Sequence, residues 1–188
     1  MNIVILAAGT SSRMGQHKLL MPIAGQTLLQ RAVKTALEVS PKVLVVLGRD
    51  AELLKTSLEG QPVQFVINHE FNNGKMETSF QTAVNVLKPD NTLLMLADMP
   101  LISPQMLLEM KKVFFEQQPQ IVASRFGDVI APPHLFSSQL LPMLGKTGAK
   151  PLIMQHLEQT VFMDWDEEKL FDVDTPKDFK RLQEKPLA

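Results

Sequence analysis

Strand-like runs alternate with helical patterns along most of this chain, and this alternation restricts the folds that it can adopt. The strand-like runs lie at residues 3–7, 43–47, 63–67, 92–96 and 120–123. Between them, segments such as residues 26–39 carry apolar residues at the spacing of one helix face. Strands that alternate with helices indicate βαβ units. We therefore predict an α/β fold whose mainly parallel sheet is covered by helices on both faces.

The last third of the chain is less regular. The elements predicted there are a short strand at 128–131 that ends before Pro132 and Pro133, helices at 135–144 and 149–157, and a strand at 160–163. A closing helix is expected after Pro176, with Thr175 as its N-cap and Asp178 in its first turn. No repeat or linker divides these patterns, so we predict a single domain over residues 1–188.

The composition argues against several classes of function. The 19 Lys and Arg residues nearly balance the 20 Asp and Glu residues, so no overall field favours nucleic acid or an anionic membrane surface. No apolar stretch approaches the roughly 18 residues that a membrane span requires. The absence of cysteine removes thiolate metal sites and cysteine nucleophiles. These features favour small-molecule substrates and a cytoplasmic protein, with neither nucleic acid nor a membrane as partner.

The first strand opens into a loop with the composition of a phosphate-binding segment. Gly9 and Gly15 allow backbone to approach a ligand closely. Ser12, Arg13 and Lys18 add a hydroxyl, a guanidinium and an ammonium group. Two common phosphate loops are excluded, because neither the Walker A spacing nor G-x-G-x-x-G is present. As a lysine read as exposed, Lys18 is expected to contribute little to folding stability.

Further polar residues follow other predicted strands. Ligands of an open α/β sheet bind outside the carboxyl ends of its strands, so we expect these residues to meet at one edge. Asp98 ends an apolar strand and is a candidate Mg²⁺ ligand, with a turn aspartate as the alternative. Asn68 has the donor and acceptor groups that a base edge requires. A turn role for Asn68, and a helix N-terminal hydroxyl role for Ser79, explain these two residues nearly as well.

Two acids near the end of the chain have the spacing of a shared site. Asp172 and Asp174 are two residues apart, so both point to the same side of an extended segment. Such a pair can complete a divalent cation site. The alternative is that the acids only lead into the helix start at Thr175.

Three motifs in these segments resemble those of the nucleotidyltransferases related to the molybdenum cofactor enzymes. The first is L-A-A-G at residues 6–9, followed by S-R-M-G at 12–15 and by Lys18. The second is A-D-M-P-L-I at 97–102, similar to the family's metal-binding segment, and the third is D-V-D-T-P at 172–176. The resemblance runs from Ile3 to about Phe179. It implies a three-layer, Rossmann-like nucleotidyltransferase fold.

The resemblance also implies an activity and a set of site residues. A phosphate of the acceptor would attack the α-phosphorus of a nucleoside triphosphate and release pyrophosphate. The implied catalytic residues are Arg13, Lys18 and Asp98, and the implied ligands of Mg²⁺ are Asp98 and Asp174. The residues that it assigns to the nucleotide are Leu6, Ala7, Ala8, Gly9, Ser12, Arg13, Lys18, Asn68, Gly74 and Ser79.

The choice of substrates rests on the resemblance alone. Relatives that use CTP tend to combine L-A-A-G with S-x-R-M-G, whereas those that use GTP tend to have L-A-G-G with Asp-Lys. This chain has Ala8 and His17-Lys18, which implies CTP, a molybdopterin acceptor, and a molybdoenzyme or its chaperone as protein partner. Two segments, 127–130 and 145–150, depart from the family pattern on the acceptor side. Alternatives are a cytidylyltransferase for a sugar or polyol phosphate, a nucleotide-binding module without turnover, and a dinucleotide oxidoreductase, which the missing G-x-G-x-x-G disfavours.

Overall fold

The computed structural model describes residues 1–9, 17–73 and 76–185 of the chain. Its strands are β1 (Asn2–Ala7), β2 (Pro22–Ile23), β3 (Gln26–Thr27), β4 (Val43–Leu47), β5 (Gln64–Ile67), β6 (Thr92–Leu96), β7 (Ile121–Phe126), β8 (Val129–Phe136) and β9 (Thr160–Trp165). Its α-helices are α1 (Leu28–Leu37), α2 (Ala51–Ser57), α3 (Met76–Val84), α4 (Pro104–Gln117), α5 (Leu141–Thr147), α6 (Ala149–Gln155) and α7 (Pro176–Gln183).

The larger sheet has seven strands in the order β5-β4-β1-β6-β8-β7-β9. Strand β1 is parallel to β4 and β6, β4 is parallel to β5, and β7 is parallel to β9. Strand β8 alone is antiparallel to its neighbours β6 and β7. The predicted mainly parallel sheet is therefore confirmed. Because β1, β4, β5 and β6 run in one direction, their carboxyl ends lie at the same edge.

Helices cover both faces of this sheet. Ile3 and Ile5 of β1 belong to an apolar cluster that includes residues of α1, α2, α4 and α7. Val4 and Leu6 belong to a second cluster on the opposite face, with residues of α3, α5 and α6. Alternate strand residues thus face different helix layers, and each fully buried aliphatic side chain contributes about 1.5–3 kcal/mol to folding. The predicted three-layer α/β arrangement is confirmed.

Capping residues explain where several helices begin. Thr27 caps α1 in a capping box, in which its side chain accepts from the Gln30 N–H and the Gln30 side chain accepts from the Thr27 N–H. Thr175 and Asp178 form the same arrangement at α7, where Pro176 is the first helical residue. The predicted start of the closing helix is therefore correct. Among the described residues, no helix has both the length and the apolarity needed to cross a membrane.

The prediction for residues 128–144 is wrong in one respect. Strand β8 continues through Pro132 and Pro133 to Phe136, where we expected a strand end and then a helix. Residues 134–136 pair with β6 and β7, and residues 129–130 pair with the end of β7. The two prolines lie between these paired stretches, at a register shift between Ala123 and Arg125. Proline lacks a backbone N–H, so it is tolerated where the ladder is interrupted.

A second sheet, formed by β2 and β3, was not predicted. Its two short strands are joined by Ala24 and Gly25, which both have positive φ, 47° and 81°. Such a turn matches the twist of paired strands. The hairpin connects the segment around Lys18 to α1, and the Leu28 N–H donates to the Met21 carbonyl across it.

Candidate active site

Polar segments converge at the carboxyl edge of the parallel strands, as the sequence predicts. Leu6 and Ala7 are buried in β1, whereas Ala8 is half-buried and Gly9 is exposed beyond the strand end. The Ala97 N–H donates to the Leu6 carbonyl at 3.0 Å. This bond fixes the start of the Asp98 segment against the end of β1.

The centre of the site is an ion-pair cluster that connects three distant parts of the chain. Lys18 Nζ lies 2.6 Å from Asp98 Oδ2 and 2.8 Å from Asp174 Oδ1. The Lys18 residue is only 8% exposed, and its ammonium group donates to both carboxylates. The expectation that Lys18 is exposed is therefore wrong. Because breaking a buried charged pair destabilises a protein far more than breaking a surface pair, Lys18 should contribute more to folding stability than an exposed lysine would.

Backbone contacts hold Asp172 and Asp174 beside Asp98. The Val173 N–H donates to the Asp98 carbonyl at 3.2 Å. Val173 is fully buried, whereas both flanking acids are exposed. This alternation agrees with the prediction that the two acids point to the same side of an extended segment. Of the acids at 172 and 174, it is Asp174 that accepts a hydrogen bond from Lys18, at 2.8 Å.

The charges of the cluster shift two pKa values. Burial acts to lower the pKa of Lys18, but Asp98 and Asp174 outweigh it, so the pKa is raised and the ammonium group stays charged. The pKa of Asp172 is raised to about 6, because the surrounding protein displaces water from its carboxyl group and the charges of Asp98 and Asp174 add to this effect. Although the Asp172 residue is exposed overall, its carboxyl group is thus in an unfavourable environment for a negative charge.

Asn68 is buried and bonded within the protein. Its amide nitrogen donates to Thr78 Oγ1 at 2.9 Å and to Ser79 Oγ at 3.0 Å, and its oxygen accepts from the Glu70 N–H at 2.9 Å. These bonds join the end of β5 to the start of α3. They support the alternative in which Asn68 and Ser79 shape the loop instead of reading a base directly. Thr78, the third polar side chain of this network, was not singled out from the sequence.

Gly48 is a second residue that the sequence analysis missed. A Cβ atom there would lie 2.8 Å from Phe71 Cβ and 2.9 Å from the Ala8 carbonyl oxygen, which is too close for any larger residue without a shift of the backbone. The absence of a side chain at Gly48 therefore allows Ala8 and Phe71 to lie close to the end of β4. The available signal was its position directly after β4, at the edge of the sheet where Asp98 is the second residue after β6.

A second ion pair lies at the carboxyl edge of the sheet, on the outer strands β7 and β9. Arg125 at the end of β7 donates to both carboxylate oxygens of Asp164 on β9, at 2.5 and 3.0 Å, and its guanidinium lies 5.3 Å from the centre of the Phe162 ring. The Trp165 indole N–H donates to Ser124 Oγ at 3.0 Å. Trp165 is thus a half-buried residue whose indole group connects β9 to β7.

The divergent segment 145–150 lies at the junction of α5 and α6. A Cβ atom at Gly148 would lie 3.2 Å from Glu77 Cγ, and one at Gly145 would lie 3.0 Å from Gln81 Oε1. Both partner residues belong to α3, which begins beside the Asn68 network. The part of the chain that departs from the family pattern therefore packs directly against the helix that borders the proposed nucleotide site.

Several predicted site residues lie outside the described part of the chain. These residues are Ser12, Arg13 and Gly74. Of the predicted residues that are described, the structure brings Lys18, Asp98 and Asp174 into direct contact. Asn68 and Ser79 contact each other at the end of β5, which is separated from β1 by β4.

The acids fit a divalent cation that arrives with a nucleotide. Asp98 and Asp174 can each offer a carboxylate oxygen to an ion that lies between them. Within residues 1–9, 17–73 and 76–185, no cluster of three or more acidic or histidine side chains is arranged to hold a metal by itself. Mg²⁺ commonly uses one or two carboxylates and takes its other ligands from phosphate oxygens and water.

Comparison with known proteins shows a family and a common fold. The chain is 25% identical to the molybdenum cofactor cytidylyltransferase of Escherichia coli, over 97% of this chain and 95% of that protein. It is 38% identical to the bifunctional protein GlmU of Paraburkholderia phymatum over 106 residues, a match that spans 54% of this chain and only 23% of that longer protein.

Solved structures extend this likeness to the whole fold. A nucleotidyl transferase from Methanothermobacter superposes with a TM-score of 0.82 at 24% identity, over 97% of this chain and 95% of that one. Rv0371c from Mycobacterium tuberculosis, solved in complex with manganese, superposes with a TM-score of 0.75 at 22% identity, over 98% of each chain. The family described as the MobA-like NTP transferase domain matches residues 3–160. This chain belongs to that family of nucleotidyltransferases.

Proposed function

We propose that this protein transfers CMP from CTP to the terminal phosphate of a molybdopterin-type acceptor and releases pyrophosphate. The observation that carries the proposal is the cluster of Lys18, Asp98 and Asp174 at the carboxyl edge of the sheet. One cation and two carboxylates close to the end of β1, where a glycine-containing segment follows in the sequence, match the needs of a triphosphate bound with a divalent ion. The family membership supports the same reaction class.

The reaction needs no protein nucleophile. An oxygen of the acceptor phosphate attacks the α-phosphorus of the nucleotide, a new P–O bond forms, and the bond to the bridging oxygen of the leaving pyrophosphate breaks. Lys18 would donate to triphosphate oxygens and balance the negative charge that develops on them, and Arg13 would do the same from the loop. Mg²⁺ held by Asp98 and Asp174 would supply further charge neutralisation at the phosphates. Alignment and electrostatics therefore account for catalysis.

CTP is the favoured nucleotide for two reasons. The residues Leu6 to Gly9 and Ser12 to Gly15 have the pattern that resembles CTP-using relatives, and the E. coli relative is itself named a cytidylyltransferase. A site fitted to a small base excludes a purine by sterics and by leaving its buried polar groups unpaired.

The acceptor is open to a second candidate. Segment 145–150 departs from the family pattern and contacts α3 through Gly145 and Gly148, so the surface beside the nucleotide can differ from that of relatives. A sugar or polyol phosphate offers the same attacking group as molybdopterin, a phosphate oxygen. Both acceptors therefore use the same chemistry at the cluster.

Nucleotide binding and pyrophosphate release test the proposal in two steps. Calorimetric titration in the presence of Mg²⁺ should give a dissociation constant for CTP at least tenfold lower than that for GTP, because each unpaired buried polar group costs about 1–3 kcal/mol. Pyrophosphate release should then depend on a phosphorylated acceptor. Equal affinity for GTP would refute the base assignment, and tight CTP binding without release for any acceptor would favour a binding module without turnover.

A further inference from the structure

The ammonium group of Lys18 lies where the two proposed metal ligands meet. Its nitrogen is 2.6 Å from an Asp98 oxygen and 2.8 Å from an Asp174 oxygen. Both acids belong to segments that are fixed by backbone hydrogen bonds and by buried neighbours. Lys18, in contrast, carries its charge on a long stem with several rotatable bonds. The lysine can therefore leave this position more easily than either acid can.

We propose that Lys18 competes with the divalent cation for Asp98 and Asp174, and that it yields this position when a triphosphate offers it other oxygen atoms. The proposal rests on the proposed function, because it takes the two acids as ligands of the metal. Without nucleotide, the ammonium group lies between the acids and excludes the ion. With nucleotide, the triphosphate binds both the displaced ammonium group and the entering ion.

Charge balance leads to the same order of events. Lys18 and the two ionised acids together carry a net charge of minus one. A divalent ion added between these three groups would leave them with a net charge of plus one, or of zero when the nearby Asp172 carboxyl group is also ionised. In either case two cations would lie close together in a partly buried site, where like charges repel strongly. A triphosphate supplies several negative charges and offsets this repulsion. The metal and the nucleotide are therefore expected to bind together, with little metal bound in the absence of nucleotide.

Mn²⁺ binding without nucleotide tests the proposal directly. Free Mn²⁺ is measured by electron paramagnetic resonance during titration of the wild type, of Lys18→Met and of Lys34→Met, which removes an exposed lysine of α1. Lys18→Met should bind Mn²⁺ at least tenfold more tightly than the wild type, and Lys34→Met should bind it like the wild type. In the double variant Lys18→Met/Asp98→Asn the gain should disappear. Lys18→Gln serves in place of Lys18→Met should the latter fail to fold.

Two results would overturn the proposal. One is a folded Lys18 variant that binds Mn²⁺ no more tightly than the wild type. The other is a gain in affinity that persists when Asp98 is replaced, because the new site would then lie elsewhere. Pyrophosphate release by the wild type with CTP and an acceptor is measured separately, so failure of the proposed reaction is distinguishable from failure of the lysine exchange.

Discussion

Lys18 and His134 are both buried titratable side chains, but Lys18 is charged whereas His134 is neutral. Lys18 is 8% exposed and His134 is 2% exposed. Lys18 contacts two carboxylates that raise its pKa, so that it remains charged. His134, on β8, has no carboxylate partner among the residues that the structure describes, and burial lowers its pKa to about 3, so its ring is neutral. Its Nδ1 accepts from the Ser124 N–H, at the point where the pairing of β7 and β8 shifts register.

This difference in charge state distinguishes Lys18, in a candidate reactive site, from His134, which has a structural role. A neutral imidazole that satisfies a backbone N–H is a fitting polar group for a sheet interior. A buried ammonium group between two acids is expensive to desolvate, and replacing such clusters by apolar residues is often neutral or stabilising. A protein that keeps one at the carboxyl edge of its strands is best explained by the chemistry done there. The predictions below test each side of this comparison.

The largest expected effect is on turnover, at the acids of the cluster. Asp98→Asn preserves shape and most hydrogen bonding but removes a negative charge that holds both Lys18 and the proposed ion. We expect the rate of pyrophosphate release to fall by several powers of ten, while circular dichroism shows a retained fold. Asp174→Asn should give a smaller loss, because the side chain of Asp174 is 53% exposed and that of Asp98 only 22%.

Asp164→Asn is the matched control for these two variants. It removes an aspartate that is also paired with a cation, on β9, but that has no contact with the Lys18 cluster in the described structure. Its rate should stay close to that of the wild type. Near-normal activity of Asp98→Asn at limiting Mg²⁺ would contradict a metal role for this residue.

The second prediction concerns acid stability and depends on His134. Below pH 6.5 the unfolded chain binds a proton at this histidine, but the folded protein does not do so until about pH 3. The contribution of the neutral His134 ring to the free energy of unfolding is therefore fully present above pH 6.5. It is lost progressively as the pH falls towards 3, by an amount on the order of 4 kcal/mol. Urea unfolding at several pH values should show that the free energy of unfolding of His134→Gln falls less steeply over this range than that of the wild type.

A matched histidine provides the control for that slope. His69 is exposed, so His69→Gln is the control for replacing a histidine outside the interior of the sheet. The His134→Gln variant is expected to be less stable than the wild type at pH 7, because Gln fits the site less well. An unchanged pH slope in His134→Gln would show that His134 is not the group responsible.

The sequence predicted the sheet better than it predicted the cluster. The bounds expected for β4 and β6 agree with the structure, because continuous apolar runs between turn residues leave few alternatives. Part of β8 was not predicted. Pro132 and Pro133 are compatible with a strand only where the backbone hydrogen bonds to the partner strand are interrupted. Because that interruption lies in the pairing with β7, the sequence around the two prolines does not reveal it. Asp98 and Asp174 were singled out as candidates from their motifs. Their contact through a buried Lys18 joins residues that are far apart in sequence, and no local pattern contains that information.

The third prediction tests the corrected view of Lys18. Lys18→Ala should weaken CTP binding, because a cation that contacts the triphosphate is lost, and it should also destabilise the fold by about 1–2 kcal/mol. This cost is below that of a fully buried pair because water reaches Asp174 and solvates part of the exposed charge. Thermal unfolding beside Lys34→Ala, the exposed control, measures the difference. Unchanged stability together with weaker CTP binding would show that Lys18 contributes no more to folding stability than a surface lysine does.

The smallest expected effect belongs to the pair of Arg125 and Asp164. Its hydrogen bonds are as short as those of Lys18, yet the two side chains are 42% and 65% exposed, and solvent competes for exposed charges. Asp164→Asn should therefore lower the melting temperature by no more than about 2 °C at low salt. At about 1 M salt, where charges are screened over roughly 3 Å, even this difference should disappear. A larger loss that persists in high salt would mean that short distances alone predict the strength of an ion pair, and burial would no longer distinguish the Lys18 cluster from its neighbour.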